Sequence, residues 1–355
     1  MRRFFRCAAP APDKVPAIPW TCGPNAARGP WSRTVFFAML DRRTFLQGAA
    51  AVLALTGSAR AEMQTSSIRL WPNGMPGGGG PSGPPQGLRW GSLSHIAEPA
   101  LDMIRPERPN GAAVLIAAGG GYTQISIAGE AMPAAEWLAG LGVTPFILTY
   151  RLPGEGWTDG PFAPLQDAQR ALRTMRSQAR PLGLDPTRMG FLGFSAGGHL
   201  LGLAAARARE ASYQPMDAVD KASARPDFAA LIYPVVTLKP PFDGTSSRRQ
   251  LIGLHPTPEA ASAWSVETHV RPGGAPTFLL HAEDDPIVDA RNSQILAEAC
   301  RKAGIPVELH RVATGGHGFA LGRKGTASMN WTRLAEIWAT GLGLFGENKD
   351  RISAL

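Results

Sequence analysis

Apolar residues along the chain fall into two alternating patterns. Short runs in which nearly every residue is apolar, at 112–117, 143–150, 189–194, 228–233 and 276–281, have strand length and read as strands buried on both faces. Between them, 131–141, 165–182, 196–207, 292–303 and 330–344 read as helices, and a further strand-like run at 307–311 precedes the last of these. Doubly buried strands alternating with helices predict an α/β fold: a mostly parallel, doubly wound sheet with crossover helices on both faces. Residues 101–350 are expected to form one such domain, since a chain of just under 300 residues suffices for a single large core and no shift in composition marks a second one. There is no internal repeat and no run long enough to be a membrane span of the mature chain.

The segment before this domain reads differently. Leu70-Trp71-Pro72-Asn73-Gly74 opens a Pro/Gly-rich stretch that continues to Pro85, and 62–100 is expected as a surface lead-in without regular structure. Further upstream, Arg42-Arg43-Thr44-Phe45-Leu46 is followed by a mild apolar run ending near Ala59-Arg60-Ala61, a small-x-small cleavage pattern. Residues 39–61 therefore resemble a twin-arginine-type signal peptide, which implies a periplasmic or secreted protein; the competing readings are an N-terminal anchor and a buried helix. Residues 1–38 carry scattered Pro, Trp, Cys and Arg with no periodicity, and Met39 stands two residues before Asp41, so translation is expected to start at Met39 rather than Met1.

Charge and cysteine content then change little. Residues 1–61 hold nine of the 36 basic side chains and two of the 28 acidic ones, so the remainder of the chain is nearly neutral despite the overall charge of +8. No nucleic-acid partner follows from the basic excess. Only Cys300 of the three cysteines lies downstream of the signal, so the mature chain has no internal disulfide available.

The candidate chemistry centres on Gly193-Phe194-Ser195-Ala196-Gly197, which joins the apolar run 189–194 to a helix-forming stretch. A strand that turns sharply into a helix forces the corner residue into a strained conformation, and flanking glycines relieve the crowding while the serine hydroxyl stands exposed. A serine nucleophile needs a base, and the base needs a carboxylate to hold its tautomer. Of the seven histidines, His317 lies in a glycine-flanked loop, Gly315-Gly316-His317-Gly318, after the strand-like 307–311 and before the last helix, where the base belongs. His199 sits one helical turn beyond Ser195 and reads as a packing residue; His281 falls inside a strand. For the acid, Glu283, Asp284, Asp285 and Asp289 follow the strand ending at His281, and Asp285 is preferred because the rigid turn Pro286-Ile287-Val288 comes next, with Asp284 as its rival.

An oxyanion needs backbone donors. Ala196 would supply one, and the loop Ala118-Gly119-Gly120-Gly121-Tyr122, directly after the strand at 112–117, would supply others through Gly120 and Gly121. Tyr122 and Trp157 are the candidate substrate contacts; Trp157 stands among glycines and charges and either lines the site mouth or folds onto its own loop.

With these residues in place the chain resembles the α/β-hydrolase superfamily and, more narrowly, the bacterial acetyl-xylan esterase and xylanase-B-type esterases. The similarity covers about residues 70–344 and rests on Leu70-Trp71-Pro72-Asn73-Gly74, Gly119-Gly120-Gly121-Tyr122, Tyr150-Arg151-Leu152-Pro153, Gln166-Asp167-Ala168-Gln169-Arg170, Gly193 through Leu200, Asp284-Asp285-Pro286 with Asn292-Ser293, and Gly315 through Phe319. It implies Ser195 as nucleophile with Asp285 and His317 as its partners, and Gly120, Gly121 and Ala196 as oxyanion donors. One departure is Ala118, where the group often has proline and related lipases have histidine.

The expected function is that of a serine carboxylesterase hydrolysing short-chain, acetyl esters of a small-molecule or polysaccharide substrate such as acetylated xylan through an acyl-enzyme, with no metal or cofactor. The rivals are a general short-chain or lipase-like carboxylesterase, a peptidase of the same fold, and a non-catalytic binding module. The stretch 235–275 is expected to be a polar surface excursion rather than an apolar lid, which favours short acyl groups.

Overall fold

The structure, a computed structural model, describes residues 64–345. The expected upstream segments 1–38 and 39–61 lie outside the described residues, as do 346–355. Ten strands are described: β1 (Thr65–Arg69), β2 (Gln86–Gly87), β3 (Leu93–Ser94), β4 (Ala100–Ile104), β5 (Ala113–Ala117), β6 (Thr144–Thr149), β7 (Met189–Phe194), β8 (Phe228–Ile232), β9 (Thr277–Ala282) and β10 (Val307–Val312). Eight of them form one sheet in the order β1-β4-β6-β5-β7-β8-β9-β10. The pairs from β6 to β10 are parallel, while β4 runs antiparallel to β6 and β1 antiparallel to β4. Every residue of β5, β6, β7, β8 and β9 is buried, as their largely apolar sequences predict for strands covered on both faces.

The helices form two layers. Met132–Gly140 and Trp331–Gly341 share one, tied by the Trp137 indole donating to Glu336 at 2.8 Å and by the Trp137 and Trp331 rings 5.5 Å apart. Phe162–Ser177, Ser195–Ala206 and Arg291–Lys302 cover the other face. Among the described residues no helix is long and apolar enough to cross a membrane.

This topology dictates where a site can form. From β5 the chain moves outward to β6 and then returns past β5 to β7, so the strand order reverses between the carboxyl ends of β5 and β7. Loops diverge at such a reversal and leave a crevice. The glycine loop leaves β5 there and Ser195 leaves β7 beside it, with Ala117 and Gly193 in register.

The expected lead-in at 62–100 differs from the expectation in being built into the domain. Thr65–Arg69 adds an edge strand, and Leu70 and Trp71 are buried. Their anchor is a buried ion pair. Arg151 and Asp167 are both fully enclosed and 2.9 Å apart; Asp167 also accepts the Arg151 backbone N–H and the Trp71 indole N–H at 2.8 Å. Arg170 donates to the Leu70 carbonyl at 3.0 Å and lies over the Trp71 ring. The Leu-Trp-Pro, Tyr-Arg-Leu-Pro and Gln-Asp-Ala-Gln-Arg sequences thus converge on one packed polar cluster that clamps the lead-in to the sheet. Removing one partner of a buried pair strands the other charge without water, at about 3–5 kcal/mol. Asp167→Ala is therefore expected to lower unfolding free energy by about that amount, measured as a fall in urea midpoint; a midpoint equal to the parent's would contradict the clamp.

Candidate active site

Ser195 occupies the first position of the helix Ser195–Ala206 with φ 50°, a left-handed conformation that is strained for a residue with a Cβ. The glycines around it are required by space. A Cβ on Gly197 would be driven into the Ala117 carbonyl, and one on Gly193 into the backbone of Gly197 and Gly198. Only a glycine-flanked corner lets β7 enter the helix this steeply.

The structure brings three of the expected residues together. The Ser195 hydroxyl lies 2.8 Å from His317 Nε2, and His317 Nδ1 lies 2.6 Å from Asp285 Oδ2. Because Asp285 can only accept, Nδ1 carries the proton and Nε2 is left as the acceptor facing the serine. The other carboxylate oxygen, Oδ1, accepts the Ile287 and Val288 amides at 2.8 and 2.9 Å, which is what the turn after Pro286 provides. Burial pushes the Asp285 carboxyl up, but hydrogen bonds from His281 and His317 and the charge of His317 outweigh it and hold the group well below the usual carboxylate range. Asp285 is thus ionised wherever its histidine could act as a base.

Asp284, the rival acid, points elsewhere. Its Oδ1 accepts the Gly315 and Gly316 amides at 2.9 and 2.7 Å and so pins the loop that carries His317. His281, read from the sequence as an ordinary strand residue, is a second donor to Asp285. Its Nε2 lies 3.2 Å from Asp285 Oδ2 and 2.9 Å from the Val288 carbonyl, both acceptors, while Nδ1 meets the Ser293 hydroxyl at 2.8 Å. The Asn292-Ser293 pair on the following helix was the available signal for this arrangement. Asn292 in turn accepts the Val236 and Thr237 amides at 2.9 and 3.1 Å.

The expected oxyanion donors are Ala196, which follows Ser195 directly, and Gly120 and Gly121 of the glycine loop. Gly120 and Gly121 both have positive φ, 132° and 63°, which turns their peptides in a loop that a side chain would block: a Cβ on Gly120 would collide with the Gln124 backbone. Gly119 meets Ser195: an added Cβ there would come within 2.8 Å of Ser195 Cβ. Its amide is already committed to Glu130 Oε2 at 2.6 Å, which leaves the next amides of the loop and that of Ala196 for a ligand. Preorganised amides of this kind can receive negative charge with little reorganisation.

Two expected substrate contacts are corrected. Tyr122 is 1 % exposed and donates its hydroxyl to His199 Nδ1 at 2.9 Å, while His199 Nε2 donates to the Trp264 carbonyl at 2.8 Å. Burial lowers the His199 pKa to about 4, so this histidine stays neutral and packs the loop against the helix. Trp157, 5 % exposed, lies over the Arg151 guanidinium and fills the space left by Gly80, where any Cβ would strike the indole. Of the glycine run in the lead-in, Gly80 admits this ring, and Trp157 is buried rather than open at the surface.

The excursion at 235–275 also departs from expectation. It is partly helical, with turns at Ser246–Ile252 and Pro258–Ala263, and it reaches the site: the Ser246 hydroxyl donates to the Gly121 carbonyl at 3.0 Å. Arg248 and Arg249 turn back onto carbonyls of the segment itself, while Leu254 is largely exposed. Among the described residues no group of three or more His, Cys, Asp or Glu side chains is placed to hold a metal ion.

Comparison with known proteins agrees with this architecture. The family model BD-FAE matches residues 101–300. A protein named acetylxylan esterase from Xylanibacter ruminicola is 30 % identical over 243 residues, 65 % of this chain and 46 % of its own length. A protein named endo-1,4-beta-xylanase B from Butyrivibrio fibrisolvens is 31 % identical over 208 residues, 59 % of this chain and 32 % of its own. The chain spans less than half the length of either of these relatives. Among solved structures, the acetyl ester-xyloside bifunctional hydrolase of Caldicellulosiruptor lactoaceticus superposes with a TM-score of 0.64 at 32 % identity, covering 79 % of this chain and 97 % of that one.

Proposed function

The chain belongs to the BD-FAE family, of α/β-hydrolase fold, and on that premise we propose that it is a serine carboxylic ester hydrolase acting on short-chain, chiefly acetyl, esters of carbohydrate. The observation that carries the reading is the unbroken relay from Asp285 through His317 to Ser195, set at a strained elbow beside a glycine loop. In the first half-reaction Ser195 Oγ forms a bond to the ester carbonyl carbon as its proton passes to His317 Nε2. The carbonyl electron pair moves to oxygen, where the amides of Gly120, Gly121 and Ala196 receive it. Collapse expels the alcohol, which takes the proton from Nε2, and leaves an acyl-enzyme. Water then repeats the sequence: it gives a proton to Nε2, attacks the acyl carbon, and releases the acid as Ser195 recovers its proton. Asp285 stays ionised and holds the imidazole tautomer throughout. We place this chemistry outside the cytoplasm, on the strength of the twin-arginine-like segment at 39–61.

Acetylated xylan as the substrate is supported by what the relatives are named for and by the mainly polar helix Ser246–Ile252 that meets the glycine loop. A polar surround cannot desolvate a long acyl tail, and each methylene left in water forgoes about 0.8 kcal/mol. The kcat/KM for aryl octanoate is expected not to exceed that for aryl acetate, because the added methylenes gain no burial, with acetate released from acetylated xylan. A preference for octanoate with no release from the polymer would replace the reading with a lipase-like one; an acetate preference without release would leave a general short-chain carboxylesterase.

A further inference from the structure

The mechanism above leaves one buried carboxyl at the site without a role. Glu130 lies on the short π-helical turn Ile127–Ala131 just beyond the glycine loop and is 6 % exposed. Both of its oxygens accept: Oε2 takes the Gly119 amide at 2.6 Å and Oε1 takes the Tyr233 hydroxyl at 3.0 Å. Gly119 opens the glycine loop and is pressed against Ser195. Tyr233 directly follows β8 at φ 41°, another strained position; its hydroxyl oxygen accepts the Ala320 amide at 3.0 Å, and its ring centroid lies 4.9 Å from that of the His317 imidazole. Ala320 belongs to the same loop as His317. A single carboxyl therefore ties the loop of the oxyanion donors to the loop of the base, across the top of the sheet.

Burying a carboxyl is costly unless its hydrogen bonds are satisfied, and a group that served packing alone would be better replaced by an apolar one. Two donors aimed at two different oxygens are the pattern of an ionised carboxylate. Burial raises the Glu130 carboxyl above its ordinary range, and the Gly119 and Tyr233 hydrogen bonds and the charge of His317 offset only part of that rise.

We propose that Glu130 is a positioning residue of the hydrolytic site: through Gly119 it fixes the peptide planes that aim the Gly120 and Gly121 amides, and through Tyr233 it holds the His317 loop against Ser195. Its charge also faces the imidazolium formed in each half-reaction, adding to that of Asp285. The inference rests on the reading of Ser195 and His317 as the reacting pair. The groups that bear on the imidazole are Asp285 on one side, itself held by His281, Ser195 in front, and Tyr233 with Glu130 behind it; Tyr150, whose hydroxyl donates to the Ala118 carbonyl, faces Glu130 from the end of β6.

The test compares Glu130→Gln and Tyr233→Phe with the parent, using a fluorophosphonate, from which Ser195 Oγ displaces fluoride, to count active sites. In Glu130→Gln the titratable fraction and the KM for aryl acetate are expected to stay within about twofold, while kcat per titrated site falls roughly ten- to a hundredfold, less than the loss of a whole oxyanion donor. The acid limb of kcat/KM should also move to lower pH by roughly half a unit, because a negative charge that favoured the imidazolium is gone. Tyr233→Phe breaks the bridge and keeps the carboxyl, so kcat per site should fall with little change in that limb. A Glu130→Gln enzyme whose whole loss lies in the titratable fraction, with parental kcat per site, would overturn the proposal. If that variant fails to fold, parental kcat per site in Tyr233→Phe would do the same. A parent that is not phosphonylated at Ser195 would instead bring down the hydrolase reading itself, and this inference with it.

Discussion

Ser195→Ala is expected to abolish ester hydrolysis, by a thousandfold or more in kcat, on the order of what removing a serine nucleophile does where base and oxyanion donors stay in place. The substitution deletes one oxygen at a buried corner. It leaves the glycines that make the corner possible, and alanine tolerates φ 50° no worse than serine does. Thermal unfolding should consequently stay within about 1 kcal/mol of the parent, so that any loss of activity reads on chemistry and not on folding. Retained turnover in pure variant protein would rule out the serine mechanism.

The sheet was legible because β5 to β9 are buried on both faces, which leaves largely apolar runs whose short length separates them from buried helices. The two antiparallel strands, β4 and β1, were not. In β4, Ala100–Ile104, Asp102 interrupts a five-residue run, and in β1, Thr65–Arg69, four of five residues are exposed; what makes them strands is pairing with β6 and with each other, a tertiary fact. The Pro/Gly stretch misled for a related reason. Its glycines signal loop, but Gly80 is there so that the Trp157 ring, stacked on Arg151, can lie where a Cβ would be.

At the site, chain order and loop position brought Ser195, His317 and Asp285 into view, since each follows a strand and each loop carries its own glycine or proline punctuation. The supporting residues gave no such signal. His281 sits in the last turn of a buried strand, where a histidine reads as packing, and its service to Asp285 depends on the Ser293 hydroxyl behind it. Glu130 lies in an amphipathic stretch where a glutamate reads as solvent-facing; its burial follows from the π-helical turn, which rotates it inward toward Gly119. Tyr122 erred in the opposite direction. Adjacent to an oxyanion loop it looks like a ligand contact, yet at φ 61° its side chain turns under the loop to His199.

Asp285→Asn should cost about a thousandfold to ten-thousandfold in kcat at neutral pH while Asp284→Asn costs less than about tenfold. The two carboxylates are neighbours, but their partners differ in kind. Asp284 accepts two backbone amides through one oxygen, Oδ1, and an asparagine carbonyl can accept the same two. Asp285 accepts the Ile287 and Val288 amides through Oδ1 and the His317 imidazole through Oδ2. An asparagine there will keep its oxygen toward the amides, which can only donate, and so present its NH₂ to the histidine. That turns His317 Nδ1 into an acceptor, moves the ring proton to Nε2, and leaves the Ser195 hydroxyl facing a donor that cannot take its proton. The acid side of the stability curve reports the same group independently. Because the folded state holds the Asp285 carboxyl below its unfolded range, the stabilisation is present above about pH 4 and is lost as pH falls through the depressed folded value. Asp285→Asn should therefore flatten acid destabilisation below about pH 4, whereas Asp284→Asn should leave Asp285's share of it in place. Kinetic loss concentrated in Asp284→Asn, with acid stability unchanged in Asp285→Asn, would move the acid one residue back.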